Sequence, residues 1–494
     1  MIRNMPRILL CFVAIASMAM PCAISRALAD ESPSGIEAAA AVEKTLVDVI
    51  ARAEKSVVAI ARVRRESAGE TLHLELRTDP FDRRPVLSSA PLPTDPDFIP
   101  NEYGTGVVVD RRGLILTAYH VLGEDSDYYV TTSERKVYKA VPKAADPRSD
   151  LAVLAVDAAD LTPITLGDAS ELRKGQIVIS LGNPYAIARD GQASAAWGIV
   201  ANLARKAPLG PGPSDSAAKT TLHHFGTLIQ TDAKLNLGTS GGPLLNLKGE
   251  MVGLSVALSA NAGYETAAGY AIPVDQTFRR VLETLKQGRE VEYGFLGVQP
   301  ENLAAAEVLG GMHGVRVAQT IPGAPASKSG LKTDDIIAAV DGSPVFDADS
   351  FVLNVGKLAA DALARLSMVR DGHPRTVEVR LTKYAVQGKK IVTVQDPPWR
   401  GLRVEYPSAM PPSAARPTGA SPFAAEGVIV LEVAEDSPAQ KAGLQPGMII
   451  THVARTAVNT PKEFQSAASA VAGPVELRIG NDAQNAVRTV QAAE

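Results

Sequence analysis

A mainly β chain of several domains is what the sequence predicts, on three observations. Apolar runs of strand length recur within Gly104–Leu122, Leu151–Val156, Gly175–Gly182 and Gly249–Ala257, each bounded by Gly, Pro or Asp turns. The C-terminal third repeats itself at an offset of 113 residues, too long a period for a small-unit solenoid. At 494 residues the chain exceeds what a single core supports, so it should split into several domains. Hydrophobic residues at 46%, charged at 21% and aromatic at 5% describe an ordinary soluble composition, and a net charge of −4 offers no basic field for nucleic acid.

The first 29 residues are expected to be a cleavable export signal. Two arginines in Met1–Arg7 precede the apolar run Ile8–Met20, and Ala27-Leu-Ala29 is a small-residue cleavage site. The run is shorter than the roughly 20 apolar residues a membrane span needs, so no stable span is expected after cleavage. Both cysteines, Cys11 and Cys22, lie in that segment, leaving the mature chain without a thiol and its domains dependent on their cores. Removal of three arginines leaves 47 basic and 54 acidic residues, a net charge of −7. From Ile36 to Ala53, Val42, Leu46, Val49 and Ile50 form a helical apolar stripe that packs on the chain's own barrel or on a neighbouring subunit. Val57–Val63 reads as a first strand. Residues 64–101, broken by Asp79-Pro-Phe-Asp-Arg-Arg-Pro85 and Pro91-Leu-Pro-Thr-Asp-Pro96, read as a long surface loop.

Next comes a β-hairpin, with Asp110-Arg-Arg-Gly113 as its turn, that delivers His120 to a strand end. Tyr128–Pro142 supplies two more strands. Asp150 then opens the buried-looking strand Leu151–Val156, where a carboxylate can steady an imidazolium; Asp146, in a Pro-containing turn, and Asp157, beyond the apolar run, read as solvated turn acids. A second barrel starts near Gly175. Residues 205–226, rich in Pro and Gly, read as a flexible loop, and His223-His224 within it as an exposed pair, solvated or metal-binding. Asn236-Leu-Gly-Thr-Ser-Gly-Gly-Pro-Leu-Leu245 is a glycine-dense turn around Ser240. It exposes a hydroxyl and can aim the N–H groups of Gly238 and Ser240 at a developing oxyanion. In the following strand Leu254, Ser255 and Val256 are expected to wall a substrate pocket for small or medium aliphatic side chains, since no acid lies in Gly253–Ala257; Glu250 is taken as a turn residue.

A serine hydroxyl is a weak nucleophile and needs a base with an orienting group, and His120, Asp150 and Ser240 follow in the chymotrypsin-like chain order. With Thr-Ala-Tyr-His-Val, Ser-Asp-Leu-Ala-Val-Leu, Leu-Gly-Asn-Pro, Gln-Thr-Asp-Ala, Gly-Thr-Ser-Gly-Gly-Pro-Leu and Gly-Tyr-Ala-Ile-Pro-Val in sequence, the chain from about residue 40 onward resembles the HtrA/Deg serine proteases. The resemblance implies a chymotrypsin-like double β-barrel protease domain followed by two PDZ domains of α+β type. It makes His120 the general base, Asp150 its orienter and Ser240 the nucleophile, without metal or other cofactor. It also implies trimers or multiples of them built through the N-terminal region, with a loop insertion at 64–101 that reaches toward other subunits. Thr239 stands where the family usually has Asn, and Leu237 where it often has Arg; neither supplies triad chemistry.

The duplication pairs Gly314-Val-Arg-Val317 with Gly427-Val-Ile-Val430, and Gly323–Leu331 with Asp436–Leu444. Each copy resembles a PDZ domain, which takes a peptide C-terminus as an added strand with loop N–H groups on its carboxylate. Phe295, Leu296 and Gly297 fit that loop in the first copy. In the second, Arg400-Gly-Leu-Arg-Val404 fits less well, with Arg403 in the expected glycine's place, and the Pro-rich run 407–422 interrupts it. The expected segments are a signal at 1–29, a protease domain at 30–288, and PDZ domains at 292–384 and 395–485. Two functions compete: an exported ATP-independent endopeptidase of protein quality control, which cleaves unfolded proteins and captures peptide C-termini, or a chaperone-like binding scaffold with weak or no proteolysis.

Overall fold

The computed structural model describes residues 35–65, 75–78, 85–88, 102–183, 191–206, 221–256, 268–410, 426–480 and 486–492. The expected signal, residues 207–220 of the Pro/Gly-rich loop and residues 411–422 of the Pro-rich run lie outside them. Helix α1 (Gly35–Ala53) buries Val49 and Ala53, with Leu46 and Ile50 partly covered.

Strand β1 (Val57–Arg64) is followed by a small hairpin, β2 (Glu75–Thr78) with β3 (Pro85–Ser88), inside the segment expected to be a long surface loop. Each strand is only four residues long, too short for its alternation to stand out. The first barrel consists of β1, β4 (Glu102–Asp110), β5 (Leu114–Ala118), β6 (Ser126–Thr132), β7 (Val137–Asp146) and β8 (Leu151–Val156). Pairing runs β7-β6-β1-β4-β5-β8, and β7 with β8 closes the ring. Val107, Ile115, Leu116, Val130, Val153 and Leu154 fill it, each fully buried. A buried aliphatic side chain of this size contributes about 1.5–3 kcal/mol.

The second barrel is closed in the order β10-β11-β14-β13-β12-β9 by β9 (Ile177–Gly182), β10 (Ser194–Arg205), β11 (Leu228–Thr231), β12 (Pro243–Leu245), β13 (Met251–Val256) and β14 (Gly269–Pro273). Helix α2 (Gln276–Lys286) follows, with the Asp275 side chain accepting from the Phe278 N–H at 2.8 Å as its N-cap. Phe278, Val281, Leu282 and Leu285 repeat at helical spacing and form its buried face.

Beyond α2 come two copies of one small α+β unit. In the first, the sheet runs from the edge strand Val298–Asn302 through Val315–Thr320, Ile336–Val340 and Leu363–Arg370 to His373–Arg380. In the second, Leu402–Glu405, Val428–Val433, Ile449–Val453, Val475–Ile479 and Val487–Val490 follow the same order. Helices Ala348–Gly356 and Pro461–Ser469 keep the 113-residue offset. The duplication thus extends past the residues that reveal it in the sequence, and a double β-barrel followed by two α+β copies is the architecture observed. The connection between the copies does not merely link them. Its strand Ile391–Val392 adds to β7 of the first barrel, with Ile391 opposite Ala145, and Lys383, 3% exposed, is held by the carboxylates of Glu290, Glu292 and Glu405.

Candidate active site

Register brings the first two candidate residues together. Strands β5 and β8 pair with Ala118 opposite Leu151, so the turn after β5 carries His120 to the place where Asp150 enters β8. The Asp150 carboxylate accepts from the His120 main-chain N–H at 3.0 Å and lies 2.8 Å from ring Nδ1, while the Tyr119 N–H donates to the Asp150 carbonyl at 2.9 Å. An ionised carboxylate only accepts, so Nδ1 carries the proton and Nε2 is left as the acceptor. Burial lowers the His120 pKa, but the Asp150 charge and hydrogen bond outweigh it and hold the value above 6.5. The imidazole is 43% exposed, and its open edge tempers the desolvation. Burial raises the Asp150 pKa, and the charge of His120 and its hydrogen bonds overcome that to leave the carboxyl below its ordinary range.

Ser240 sits in a turn built from glycines because the chain there needs left-handed backbone: φ is +93° at Gly238 and +86° at Gly241. The turn is clamped from both sides. Thr105 of β4 donates its N–H to the Ser240 carbonyl at 2.9 Å and its hydroxyl to the Gly238 carbonyl at 2.7 Å. From the second barrel, Ser255 exchanges main-chain bonds with Gly241 and Gly242, both at 2.8 Å. A side chain at Gly241 would collide with the Thr105 carbonyl and the Thr117 hydroxyl and lie 3.1 Å from the Ala118 nitrogen, two residues before His120. The serine turn is thereby packed against the strand end that carries the histidine. The Gly242 N–H donates to the Thr239 carbonyl at 3.0 Å, which in a trans peptide turns the Ser240 N–H to the opposite side. Thr239 is buried and donates its hydroxyl to the Asn236 carbonyl at 2.7 Å, capping its own turn, while Leu237 is 54% exposed.

The expected pocket wall needs correction. Side chains alternate along β13, and Leu254 and Val256 belong to the buried core. Three consecutive residues cannot face one pocket; Ser255 alone faces the other way, its hydroxyl buried with no hydrogen-bond partner. Glu250 accepts from the Asn246 amide at 2.8 Å within the hairpin turn.

A family model described as trypsin-like peptidase domain matches residues 104–254, and one described as PDZ domain matches residues 294–381. A protein named probable periplasmic serine endoprotease DegP-like, from Pseudomonas fluorescens, is 32% identical over 373 residues, which cover 74% of each chain. The chain belongs to the HtrA/Deg family of serine endoproteases. A Chlamydia trachomatis protein of the same description is 31% identical over 369 residues, covering 73% of this chain and 68% of its own. A solved structure of the HtrA-type protease AlgW with tripeptide shares the fold, at TM-score 0.51 and 23% identity over 68% of this chain and 96% of that one.

In this HtrA protease the turn before Asp150 differs from its sequence expectation. Asp146 is 2% exposed rather than solvated, because Ser149 N–H and hydroxyl donate to its carboxylate at 2.9 and 2.6 Å and Tyr293 covers it with a third hydrogen bond. His223 is also buried, 7% exposed: Nε2 donates to the Ser149 carbonyl and Nδ1 meets the Thr227 hydroxyl, both at 2.8 Å. Both ring nitrogens are engaged, and among the described residues no group of three His, Cys, Asp or Glu is placed to hold a metal ion. Thr105, which clamps the serine turn, is a residue the sequence did not single out. Its signal was a lone hydroxyl between two glycines in an apolar strand, and it is fully buried with both side-chain roles used, since it also accepts from the Asn183 N–H at 2.9 Å.

The second PDZ loop of the HtrA chain differs from expectation, as the first shows by comparison. Leu296 and Gly297 carbonyls accept from Ala326 and Ile321 N–H, each at 2.9 Å, and Leu296 is a core residue, while the Phe295 ring lies 6.2 Å from that of Tyr384. In the second copy the Arg400 and Gly401 carbonyls accept from Ala439 and Ala434 in the same pattern. The loop glycine is therefore present as Gly401, with φ +85° against +81° at Gly297, and Arg403 does not replace it. What changes is Arg400 in place of Leu296: its guanidinium leaves the core to donate to the carbonyls of Val490, Val471 and Gly473.

Proposed function

We propose that this HtrA-family endopeptidase works through His120, Asp150 and Ser240. His120 Nε2 takes the Ser240 proton as Oγ attacks the scissile carbonyl, and N–H groups of Gly238 and Ser240 receive the oxyanion. The protonated imidazole, steadied by Asp150, then gives its proton to the leaving amine; water, activated by the same nitrogen, releases the acyl group and restores the serine. The observation that carries this reading is the His120–Asp150 hydrogen bond on a strand end against which the serine turn is packed. A fluorophosphonate probe should label the wild-type protein and fail to label Ser240→Ala; equal labelling of both would remove the basis of the proposal.

We assign the chain to the exported side of the inner membrane, in the periplasm, on its N-terminal segment and the names of its relatives. Its substrates are unfolded or misfolded proteins bound as extended segments, and its assembly is a trimer or a multiple of one. Peptide C-termini add to the edge strand Val298–Asn302 beside helix Ala348–Gly356, with the carboxylate at Phe295–Gly297. Gly297 has a left-handed φ, and a side chain there would overlap Ala324. Gly297→Glu should therefore weaken binding of a labelled C-terminal peptide by about tenfold, roughly the ~1.4 kcal/mol of a lost hydrogen bond. Fluorescence anisotropy reads the change, and unaltered affinity would show the carboxylate loop to be elsewhere.

A further inference from the structure

The turn Asp146–Asp150 joins the PDZ region to the candidate triad, and the hydrogen bonds that hold Asp146 and Ser149 in it are buried. Asp146 gathers three donors on Oδ2: the Ser149 N–H, the Ser149 hydroxyl and the Tyr293 hydroxyl. Its buried Oδ1 has no hydrogen-bond partner among the described residues. The Ser149 carbonyl is held in turn by His223 Nε2 at 2.8 Å. Asp150 follows directly, in the left-handed region with φ at +56°. Ser149 is thus fixed at nitrogen, hydroxyl and carbonyl, and that fixation sets where Asp150 starts.

Of these contacts, the Tyr293 hydroxyl alone enters from beyond the two barrels. Tyr293 is fully buried and precedes the Gly294–Phe295 strand that pairs with Thr382–Lys383 of the first PDZ domain. Its ring lies 5.3 Å from the Arg148 guanidinium and 5.5 Å from that of Arg280 on α2, and Arg148 also stacks on Tyr384 at 3.9 Å. Burial, then the Asp146 charge, hold the phenol well above its ordinary pKa, so it is a neutral donor. The charged or titratable groups facing this path are Arg148, Arg280 and Tyr384 around the tyrosine, Tyr119 at Asp146 and Asp150, His120 and His223 at Asp150, and Asp275 and His224 at His223.

We infer that Tyr293 is a positioning residue for catalysis, which through Asp146 and Ser149 fixes the placement of Asp150 against His120. This rests on Asp150 being the orienting carboxylate, as proposed above. Phenylalanine would fill nearly the same volume and keep the arginine stacking, so it removes only what the hydroxyl supplies: its hydrogen bond to Asp146 and its contact with the Ser149 side chain.

The test uses the full-length protein and a chromogenic peptide. Tyr293→Phe should lower kcat roughly tenfold with KM unchanged, the scale of a small misplacement in a catalytic constellation. It should also move the acid limb of the pH–rate profile to lower pH and weaken the downfield proton resonance of the His120 Nδ1–H. Ser149→Ala, which breaks the next link, should shift the limb in the same direction, and the double variant should lose less than the product of the two losses. Tyr384→Leu removes the stacking surface of Arg148 at the same junction and should reduce thermal stability while leaving kcat and the limb in place. Wild-type kcat and pH profile in Tyr293→Phe, or the same shifts in Tyr384→Leu, would overturn the inference. If instead Asp150→Asn keeps wild-type activity, it is the triad assignment that fails.

Discussion

Ser240→Ala is expected to lower kcat for peptide hydrolysis by about 10^6-fold, the scale seen when a member of a serine–histidine pair is removed, because the groups act as one unit. His120→Ala should cost a similar factor, and the double variant little more than either. The loss should be chemical rather than structural. The turn's position is set by main-chain bonds from Thr105 and Ser255 to Ser240, Gly241 and Gly242, and by the Thr105 hydroxyl on the Gly238 carbonyl, all of which an alanine at 240 can keep. Casein cleavage and thermal unfolding measured side by side check this. Cleavage within tenfold of wild type would show that another nucleophile does the work.

How much of this was legible in the sequence follows from what each residue needed. His120, Asp150 and Ser240 stood out because a strand end, a strand start and a glycine turn each leave a short-range mark, and the duplication because two copies of a fold keep their turn residues. Asp146 and His223 were misjudged for a common reason. Their neighbours in sequence are turn-formers, but their partners are distant: Tyr293 lies 147 residues from Asp146, and Ser149 lies 74 residues from His223. A polar residue in a turn looks solvated until the segment that covers it is placed. Thr105 was missed similarly, its bond to Gly238 spanning 133 residues. Leu254–Val256 failed for a different reason: strand alternation was available in the sequence and rules out a wall of three consecutive side chains. The second PDZ loop was misaligned because the stretch between its glycine and the next aligned one is longer, Gly401 to Gly427 against Gly297 to Gly314, and a gap-free comparison slides past it.

Asp150→Asn carries the second large effect and has two separable signatures. In the wild type, the Asp150 charge holds the His120 pKa above 6.5 against the opposing effect of burial. As the proposed base, His120 would work as the neutral imidazole, so kcat/KM should rise as pH passes upward through that raised value. Asparagine removes the charge, leaving burial as the dominant influence, which disfavours the imidazolium; the acid limb should therefore move to lower pH. At neutral pH the rate should nevertheless fall by about 10^4-fold, because an amide can donate to Nδ1 and stabilise the tautomer whose Nε2 carries the proton and cannot accept one from Ser240. A lower apparent pKa together with a lower plateau is the combination expected, since a base lost only through misfolding would lower the plateau and leave the limb where it was. A pH–rate profile from pH 5 to 9 on both proteins separates these outcomes, and a limb that stays in place would mean that the carboxylate seen 2.8 Å from Nδ1 does not govern the imidazole's charge.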